Sequence, residues 1–200
     1  MLKKPNNYEN IQLNDDFIAI ELGGHKGVIK NAEVYTSEFS GKTSLKVCID
    51  TAKDDKQPEY FTELYKNDDR ENKKWSSSAI RYVSLGDEEN QVKQLKGFIT
   101  AVENSNPGFT YDWDKEEKTQ LKDKKIGLVF GLEEYKDNEG KIKTARKLNQ
   151  FRSIDKVDHV KIPKVKKLDG TLVEYEDYIN NKVTNDDVVE IGLNSEEMPF

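Results

Sequence analysis

The chain has 200 residues, of which 34% are hydrophobic and 35% charged, and its formal net charge is −6. No apolar run approaches the roughly 18 residues of a membrane span, and no apolar stretch follows the two lysines near the start, so neither a membrane protein nor a secretory leader is expected. The single Cys48 excludes an internal disulfide and a zinc site built from cysteines. These features predict a protein of the reducing cytoplasm that does not contact a membrane.

The first half of the chain carries the pattern of antiparallel strands. Residues 1 to 24 form a polar N-terminal extension with one apolar patch, FIAIEL. GVIKNAEVYT (27–36) alternates, and the alternation predicts Ile29 and Tyr35 on the same face. TSLKVCIDTA (43–52) also alternates, and EYFTELYK (59–66) is predicted to be a third strand after a loop.

The second half begins with a helix and ends with a hairpin. AIRYVSL (79–85) fits either a strand or a helix. EENQVKQLKGFITAVENS predicts a helix that Asp87 caps, with an apolar stripe of Val92, Leu95, Phe98, Ile99 and Val102. KIGLVFGLEEYKD (125–137) and IKTARKLNQFRSID (142–155) flank an Asp-Asn-Glu-Gly turn and predict a two-stranded hairpin.

Three strands, a helix and a hairpin are the layout of an OB-fold, a five-stranded antiparallel barrel with a helix between strands three and four. The sequence therefore predicts a mainly β protein with one helix. Its predicted parts are the extension (1–24), an OB-fold domain (25–165) and a flexible acidic tail (166–200). Gly127 and Gly131 would allow the strand to bend where a small barrel closes.

Charge is distributed unevenly along the chain. Residues 169–200 hold nine acids and one base, a net charge of −8, whereas the other 168 residues hold 29 acids and 31 bases, a net charge of +2. A mildly basic body can bind a polyanion, and an acidic tail would compete for any basic groove. The tail's low apolar content predicts that most of residues 170–200 lack fixed structure.

Candidates for catalysis are weak. Asp112, Asp114, Glu116 and Glu117 could hold a divalent cation, but they lie in a connector with lysines that is typical of a solvated loop. His25 and His159 are isolated, the serines at 76–78 have no histidine nearby, and no Gly-Lys-Ser/Thr motif follows a glycine. We therefore predict a protein that is not an enzyme and needs no metal or other cofactor.

Features of a nucleic-acid binder are stronger, because aromatic and basic residues alternate on the polar faces of the predicted strands. Bases stack on aromatic rings with about 1–3 kcal/mol each, and cations follow the phosphates. Trp75 is the leading ring, since its polar neighbours offer it little apolar contact. The predicted DNA-binding residues are Tyr35, Phe39, Lys42, Lys46, Tyr65, Lys74, Trp75, Arg81, Tyr135, Lys141, Lys143, Arg146, Phe151 and Arg152.

The chain's last residues, SEEMPF, resemble the C-terminal tip of bacterial and phage single-stranded DNA-binding proteins, which end in acids, an apolar residue and Pro-Phe. The residues that match this pattern are Glu196, Glu197, Met198, Pro199 and Phe200. In that family the terminal ring and carboxylate enter a basic-rimmed apolar pocket on replication, recombination and repair enzymes. The resemblance implies that this tip recruits such partners.

The body resembles phage-encoded members of the same family from bacteria with low-GC genomes. FITAVENSNPGFTYDWD and LKDKKIGLVFGLEEYKDNEGKIKTARKLNQFRSID carry this likeness, which extends over residues 25 to 165. The tail departs from the bacterial pattern in having no Gly/Gln-rich linker. The likeness implies a protein of the host cytoplasm that binds and protects single-stranded DNA in phage replication, recombination or repair.

Two other functions fit the same sequence. A recombination factor that anneals complementary strands as a large ring would share the DNA contacts, and self-association is compatible with either role. An interaction or inhibitor protein that presents its acids as a DNA mimic would not bind DNA, and the basic stretch from Lys141 to Arg152 argues against it.

Overall fold

A computed structural model describes residues 3–4 and 18–183. Seven strands and four helices of this part of the chain follow one another in the order β1 (Gly23–Thr36), β2 (Thr43–Thr51), α1 (Tyr60–Asn67), β3 (Ile80–Ser84), α2 (Glu89–Ser105), α3 (Glu117–Leu121), β4 (Lys125–Lys136), β5 (Ile142–Arg152), β6 (Val165–Lys166), β7 (Leu172–Val173) and α4 (Tyr175–Val183). Short 3-10 helices precede β3 (Ser77–Ala79) and follow β5 (Ile154–Lys156). None of the described helices is both long and apolar enough to cross a bilayer.

The strands form one open mixed sheet in the order β3-β2-β1-β4-β6-β7, with β5 paired to the other edge of β4. All pairs are antiparallel except β4 with β6. The prediction of a closed five-stranded OB-fold barrel is therefore wrong. Within the described residues β3 pairs with β2 alone and β5 with β4 alone, so no ladder joins β3 to β5.

Side chains span the opening between β3 and β5 where a barrel would have backbone pairing. The Arg81 guanidinium donates to the carbonyl oxygen of Leu148 at 3.2 Å, and the Lys147 ammonium donates to Ser77 Oγ at 2.6 Å. Burial lowers the pKa of both cations, and attraction to Glu133 opposes that shift. These side-chain contacts do not form a backbone ladder, so the edge of β3 that faces β5 is not paired with another described strand.

The predicted third strand at 59–66 is wrong, because these residues form helix α1. Phe61 is buried on the inner side of this helix and lies 5.8 Å, centroid to centroid, from Phe130 of β4. The third strand is instead β3, within the segment whose pattern fitted either state. The helix α2 and the β4–β5 hairpin are confirmed.

Helix α2 covers the sheet with three residues of its predicted stripe, Phe98, Ile99 and Val102. Val92 is 48% exposed, since the first turn of the helix extends beyond the core. The predicted cap at Asp87 is replaced by a capping box, in which Glu88 and Gln91 hydrogen-bond to each other's backbone N–H groups. The principal core that α2 closes includes Ile29, Val47, Ile49, Phe61, Leu121, Ile126, Leu128 and Phe130.

The segment that follows β5 packs directly on the sheet backbone. An added Cβ at Gly24 would lie 1.9 Å from the carbonyl oxygen of Val157, and one at Gly127 would lie 2.4 Å from the Val157 side chain. A Cβ added at Gly131 would be less crowded, at 3.2 Å from the Pro163 side chain. Gly127 and Gly131 thus admit this segment against β4, and the closed barrel for which they were predicted to bend the strand is not formed.

Residues 166–183 belong to the segment predicted to be flexible, but this part of the chain includes the end of β6, the strand β7 and the helix α4. Tyr178 of α4 packs with Leu132 and Val165 in a second buried cluster, and its hydroxyl donates to Glu134 Oε1 at 2.9 Å. Burial raises the pKa of the Tyr178 hydroxyl, and the hydrogen bond to Glu134 raises it further. This contact fixes α4 to the end of β4.

Candidate nucleic-acid interface

Two exposed tyrosines and one lysine come together on the outer face of β1, β2 and β3. The register pairs Lys46 with Glu33 on one side and with Tyr82 on the other, and it pairs Ser44 with Tyr35. Partners in an antiparallel ladder point to the same face. We call the surface formed by Tyr35, Lys46 and Tyr82, together with Glu33, the tyrosine face.

The tyrosine face presents its rings side by side. The centroids of Tyr35 and Tyr82 are 5.7 Å apart with an interplanar angle of 52°, and the rings belong to strands that are separated by β2. Tyr35 is 40% exposed and Tyr82 is 49% exposed. Rings this open keep part of their flat surface available, which is what stacking with an unpaired base requires.

Lys46 supplies the charge of this face and Glu33 opposes it. The Lys46 ammonium lies 3.2 Å from Glu33 Oε1 and 5.9 Å from the centroid of Tyr35. Burial lowers the pKa of Lys46, but the hydrogen bond and the attraction of Glu33 outweigh it, and the net pKa lies above its ordinary value. The lysine is therefore a cation at neutral pH.

A β-bulge places Tyr35 on this face. The pairing of β1 with β2 shifts between Ile29 and Asn31, so Lys30 is an extra residue and the alternation changes sides there. Ile29 is fully buried, while Glu33 and Tyr35 are outside. The prediction that Ile29 and Tyr35 share a face is therefore wrong.

The turn between β1 and β2 carries two further predicted residues. Phe39 is fully exposed and Lys42 is exposed. The turn is closed by hydrogen bonds from the Ser37 N–H to the Lys42 carbonyl at 2.9 Å and from the Gly41 N–H to the Ser37 carbonyl at 2.8 Å. The hairpin thus extends beyond Tyr35 with an aromatic side chain at its tip.

Trp75 lies apart from the tyrosine face and is half-buried. Its Nε1 donates to the Ile49 carbonyl at 3.1 Å, and its ring packs against the core and lies 5.9 Å from the ring of Tyr65. The prediction that Trp75 has little apolar contact is wrong, because its contacts come from residues distant in sequence. Lys74 is exposed beside it.

Three predicted residues lie together elsewhere, in a groove between α2, β3 and the end of β5. Arg81 points to the inner side of β3, since it pairs with the buried Val47. Phe151 is half-buried, with its ring 5.0 Å from that of Phe98, and Arg152 is exposed. All three line the groove, which has a volume of about 690 Å³.

The remaining predicted cations belong to the β4–β5 hairpin, and each of them already contacts another residue of the protein. Lys141 lies 2.7 Å from Glu139, and Lys143 lies 3.0 Å from Asp137 and pairs across the ladder with Tyr135. Arg146 donates to the Ile20 carbonyl, and its Nε is buried without a hydrogen-bond partner in the described part of the chain. The structure does not bring Tyr135, Lys141, Lys143 or Arg146 to the tyrosine face.

The acids of the connector have contacts of their own. Asp112 pairs with Lys115 at 2.9 Å, and Glu117 accepts the Val34 N–H at 3.1 Å, which covers the edge of β1 that β4 leaves unpaired. Among the residues that the structure describes, no group of three or more His, Cys, Asp or Glu side chains could hold a metal ion.

Tyr82 and Glu33 were absent from the predicted site, and so were Lys93, Lys96 and Lys156, which line the groove. Tyr82 could have been found, because strand alternation sets it opposite Arg81 and Val83. The lysines of α2 could not, since only the packing of the helix beside β5 brings them to the groove. The predicted recruiting tip, residues 196–200, lies outside the described residues.

No protein-family model matches the chain, and no curated protein sequence matches it.

Proposed function

We propose that this protein binds single-stranded DNA without catalysis, as a cytoplasmic protein of the phage and bacterial kind that its last residues resemble. The observation that carries the proposal is the tyrosine face, where two adjacent exposed rings lie beside a lysine. Unpaired bases stack on the rings and a phosphate pairs with the lysine. The exposed Phe39 and Lys42 of the hairpin extend the same surface.

The form of the nucleic acid follows from the rings. Bases of a duplex are stacked on each other and offer edges to a protein, whereas an unpaired strand offers flat faces. Because the two rings are 5.7 Å apart and tilted by 52° to each other, the bases that stack on them are splayed apart. Recruitment of replication and recombination partners by the tip remains part of the proposal that the sequence alone supports.

The test is fluorescence anisotropy of labelled oligo-dT at two salt concentrations. The wild-type protein should bind, and its affinity should fall as salt rises because phosphate contacts release counterions. Tyr82→Leu and Tyr35→Leu should each weaken binding about 5- to 150-fold, which corresponds to about 1–3 kcal/mol per stacked base. Tyr82→Phe keeps the ring and should bind as the wild type does.

Trp113→Leu is the matched control, because Trp113 is 70% exposed but lies in the connector before α3. It should leave the affinity unchanged. If the wild-type protein does not bind oligo-dT in dilute salt, or if Tyr82→Leu and Trp113→Leu behave alike, the proposal is wrong.

A further inference from the structure

The groove between α2, β3 and β5 has a charge that its own residues do not balance. Among the described residues, five cations and no carboxylate line it; the cations are Arg81, Lys93, Lys96, Arg152 and Lys156. Glu89, one turn before Lys93, pairs with that lysine at 2.5 Å. Within the described part of the chain, Lys96 and Lys156 have no carboxylate within ion-pair distance. Clustered like charges in a cleft attract a polyanion.

Gly97 provides a second, independent observation. It lies in the middle of α2 and lines the groove, although glycine is among the poorest helix formers. An added Cβ would have no atom of the described residues within 4 Å, so packing against this part of the chain does not require a glycine here. The missing side chain opens the groove between Lys93 and Thr100 and lets a ligand approach the helix backbone.

The groove and the tyrosine face meet at β3. Tyr82 belongs to the tyrosine face and also lines the groove, while its neighbour Arg81 points to the groove side. Since β3 pairs with β2 alone among the described strands, its other edge is open along this boundary. A strand that leaves the ring of Tyr82 therefore reaches the groove by passing over one strand edge.

We infer that the groove is a second binding segment, which holds the phosphate backbone of the same single strand whose bases stack on the tyrosine face. This inference rests on the proposed function. The wall of the groove from Lys93 to Asn104 is roughly 16 Å long at the helical rise of about 1.5 Å per residue. That length suits roughly four or five nucleotides at the spacing of about 3.4 Å in a stacked strand.

The experiment uses fluorescence anisotropy to measure the affinity for two oligo-dT strands, one of about 4 nucleotides and one of about 20 nucleotides. The groove variant is Lys96→Gln with Lys156→Gln. Its matched control is Lys118→Gln with Lys122→Gln, which removes the same charge from exposed positions in and just after α3. Gly97→Leu, which fills the groove without changing charge, is the second groove variant. Circular dichroism confirms that each variant is folded.

Both groove variants should bind the short oligonucleotide as the wild type does and should lose tenfold or more in affinity for the long one. For the charge variant, the slope of log affinity against log salt should also be shallower, by the amount expected for the loss of about one or two phosphate contacts. The Lys118/Lys122 control should match the wild type at both lengths.

Three results would overturn the inference while the proposed function stands. In the first, the groove variants keep full affinity for the long strand. In the second, they lose affinity equally for the short and the long strand. In the third, they bind DNA normally and lose only the binding of poly-glutamate, which would assign the groove to an acidic peptide. If the wild-type protein binds neither oligonucleotide, the proposed function falls first.

Discussion

Asp50, near the end of β2, caps the helix that begins ten residues later at Tyr60. Its Oδ1 accepts the Phe61 N–H at 2.9 Å and its Oδ2 accepts the Thr62 N–H at 3.2 Å, and the Thr62 hydroxyl donates to Oδ2 as well. Glu59, at the N-cap position, makes no side-chain cap. A buried carboxylate from a neighbouring strand thus satisfies the free N–H groups of α1.

Replacing Asp50 should destabilise the fold, because the Phe61 and Thr62 N–H groups at the start of α1 would be left without this acceptor. The Thr51 N–H, which donates to Asp50 Oδ1 at 2.9 Å, would lose it as well. We expect Asp50→Ala to lower the free energy of unfolding by about 2–6 kcal/mol, at about 1–3 kcal/mol for each of the two unsatisfied N–H groups of α1. Asp50→Asn, which keeps one acceptor oxygen, should lose less. Denaturant unfolding followed by fluorescence measures both.

The exposed Asp69 provides the control. Asp69→Ala should change stability by less than about 0.5 kcal/mol. Equal effects of Asp50→Ala and Asp69→Ala would show that the capping contact contributes nothing.

The Asp50 cap also explains why the third strand was predicted in the wrong place. EYFTELYK has three aromatic residues and a threonine, which favour a strand locally. Its helical state depends on a carboxylate outside the window and on the burial of Phe61 against Phe130. Local patterns did predict β1, β2, α2 and the β4–β5 hairpin, because each of these has a long periodic apolar face of its own.

The candidate site was predictable only in part, for a similar reason. Alternation along a single strand identifies Lys46, but it fails after Ile29, where the bulge at Lys30 changes the face of every later residue. The contact between Tyr35 and Tyr82 joins β1 to β3 across β2, so it depends on sheet order. The open edge of β3 also depends on the sheet order, and the predicted closed barrel would not have had such an edge.

Two glycines should respond to alanine with opposite signs. Gly24→Ala sets a Cβ 1.9 Å from the Val157 carbonyl, where only backbone movement can make room, and we expect a loss of at least about 2 kcal/mol in unfolding free energy. Gly97→Ala adds a Cβ in open space within a helix and should gain about 0.5–1 kcal/mol. Thermal unfolding should show a lower Tm for the first variant and a higher one for the second. Shifts of the same sign would contradict this account of both positions.

The Cys48 thiol should react slowly with thiol reagents at neutral pH. Burial raises its pKa above the ordinary value, Lys46 lowers it by less, and Glu33 adds to the rise. Because the thiolate is the reacting form, the rate with a disulfide reagent should keep rising with pH beyond the point where a free cysteine levels off.

Lys46→Gln removes the group that opposes the rise, so it should slow the reaction of Cys48 at a given pH. The protein unfolded in guanidinium chloride is the control and should follow the profile of a free thiol. If the rate of the folded protein levels off at the same pH as the rate of the unfolded control, or at a lower pH, the prediction is wrong.

Glu33 should limit the affinity of the tyrosine face for DNA. It is the acid paired with Lys46, at 3.2 Å, so a phosphate that pairs with this lysine must displace a carboxylate. Glu33→Gln removes that competition. Since exposed ion pairs contribute about 0.2–1 kcal/mol, we expect oligo-dT to bind roughly 1.4- to fivefold more tightly, with a steeper dependence on salt.

The control separates this local effect from a change in net charge. Glu63→Gln removes a carboxylate that pairs with Lys66 at 2.7 Å on α1, away from the tyrosine face. Both variants change the net charge by one unit, so general attraction to DNA rises equally in both. Only Glu33→Gln frees a cation beside Tyr35, and combining it with Lys46→Gln should abolish the gain. If Glu63→Gln tightens binding as much as Glu33→Gln does, Lys46 is not the lysine that meets the phosphate.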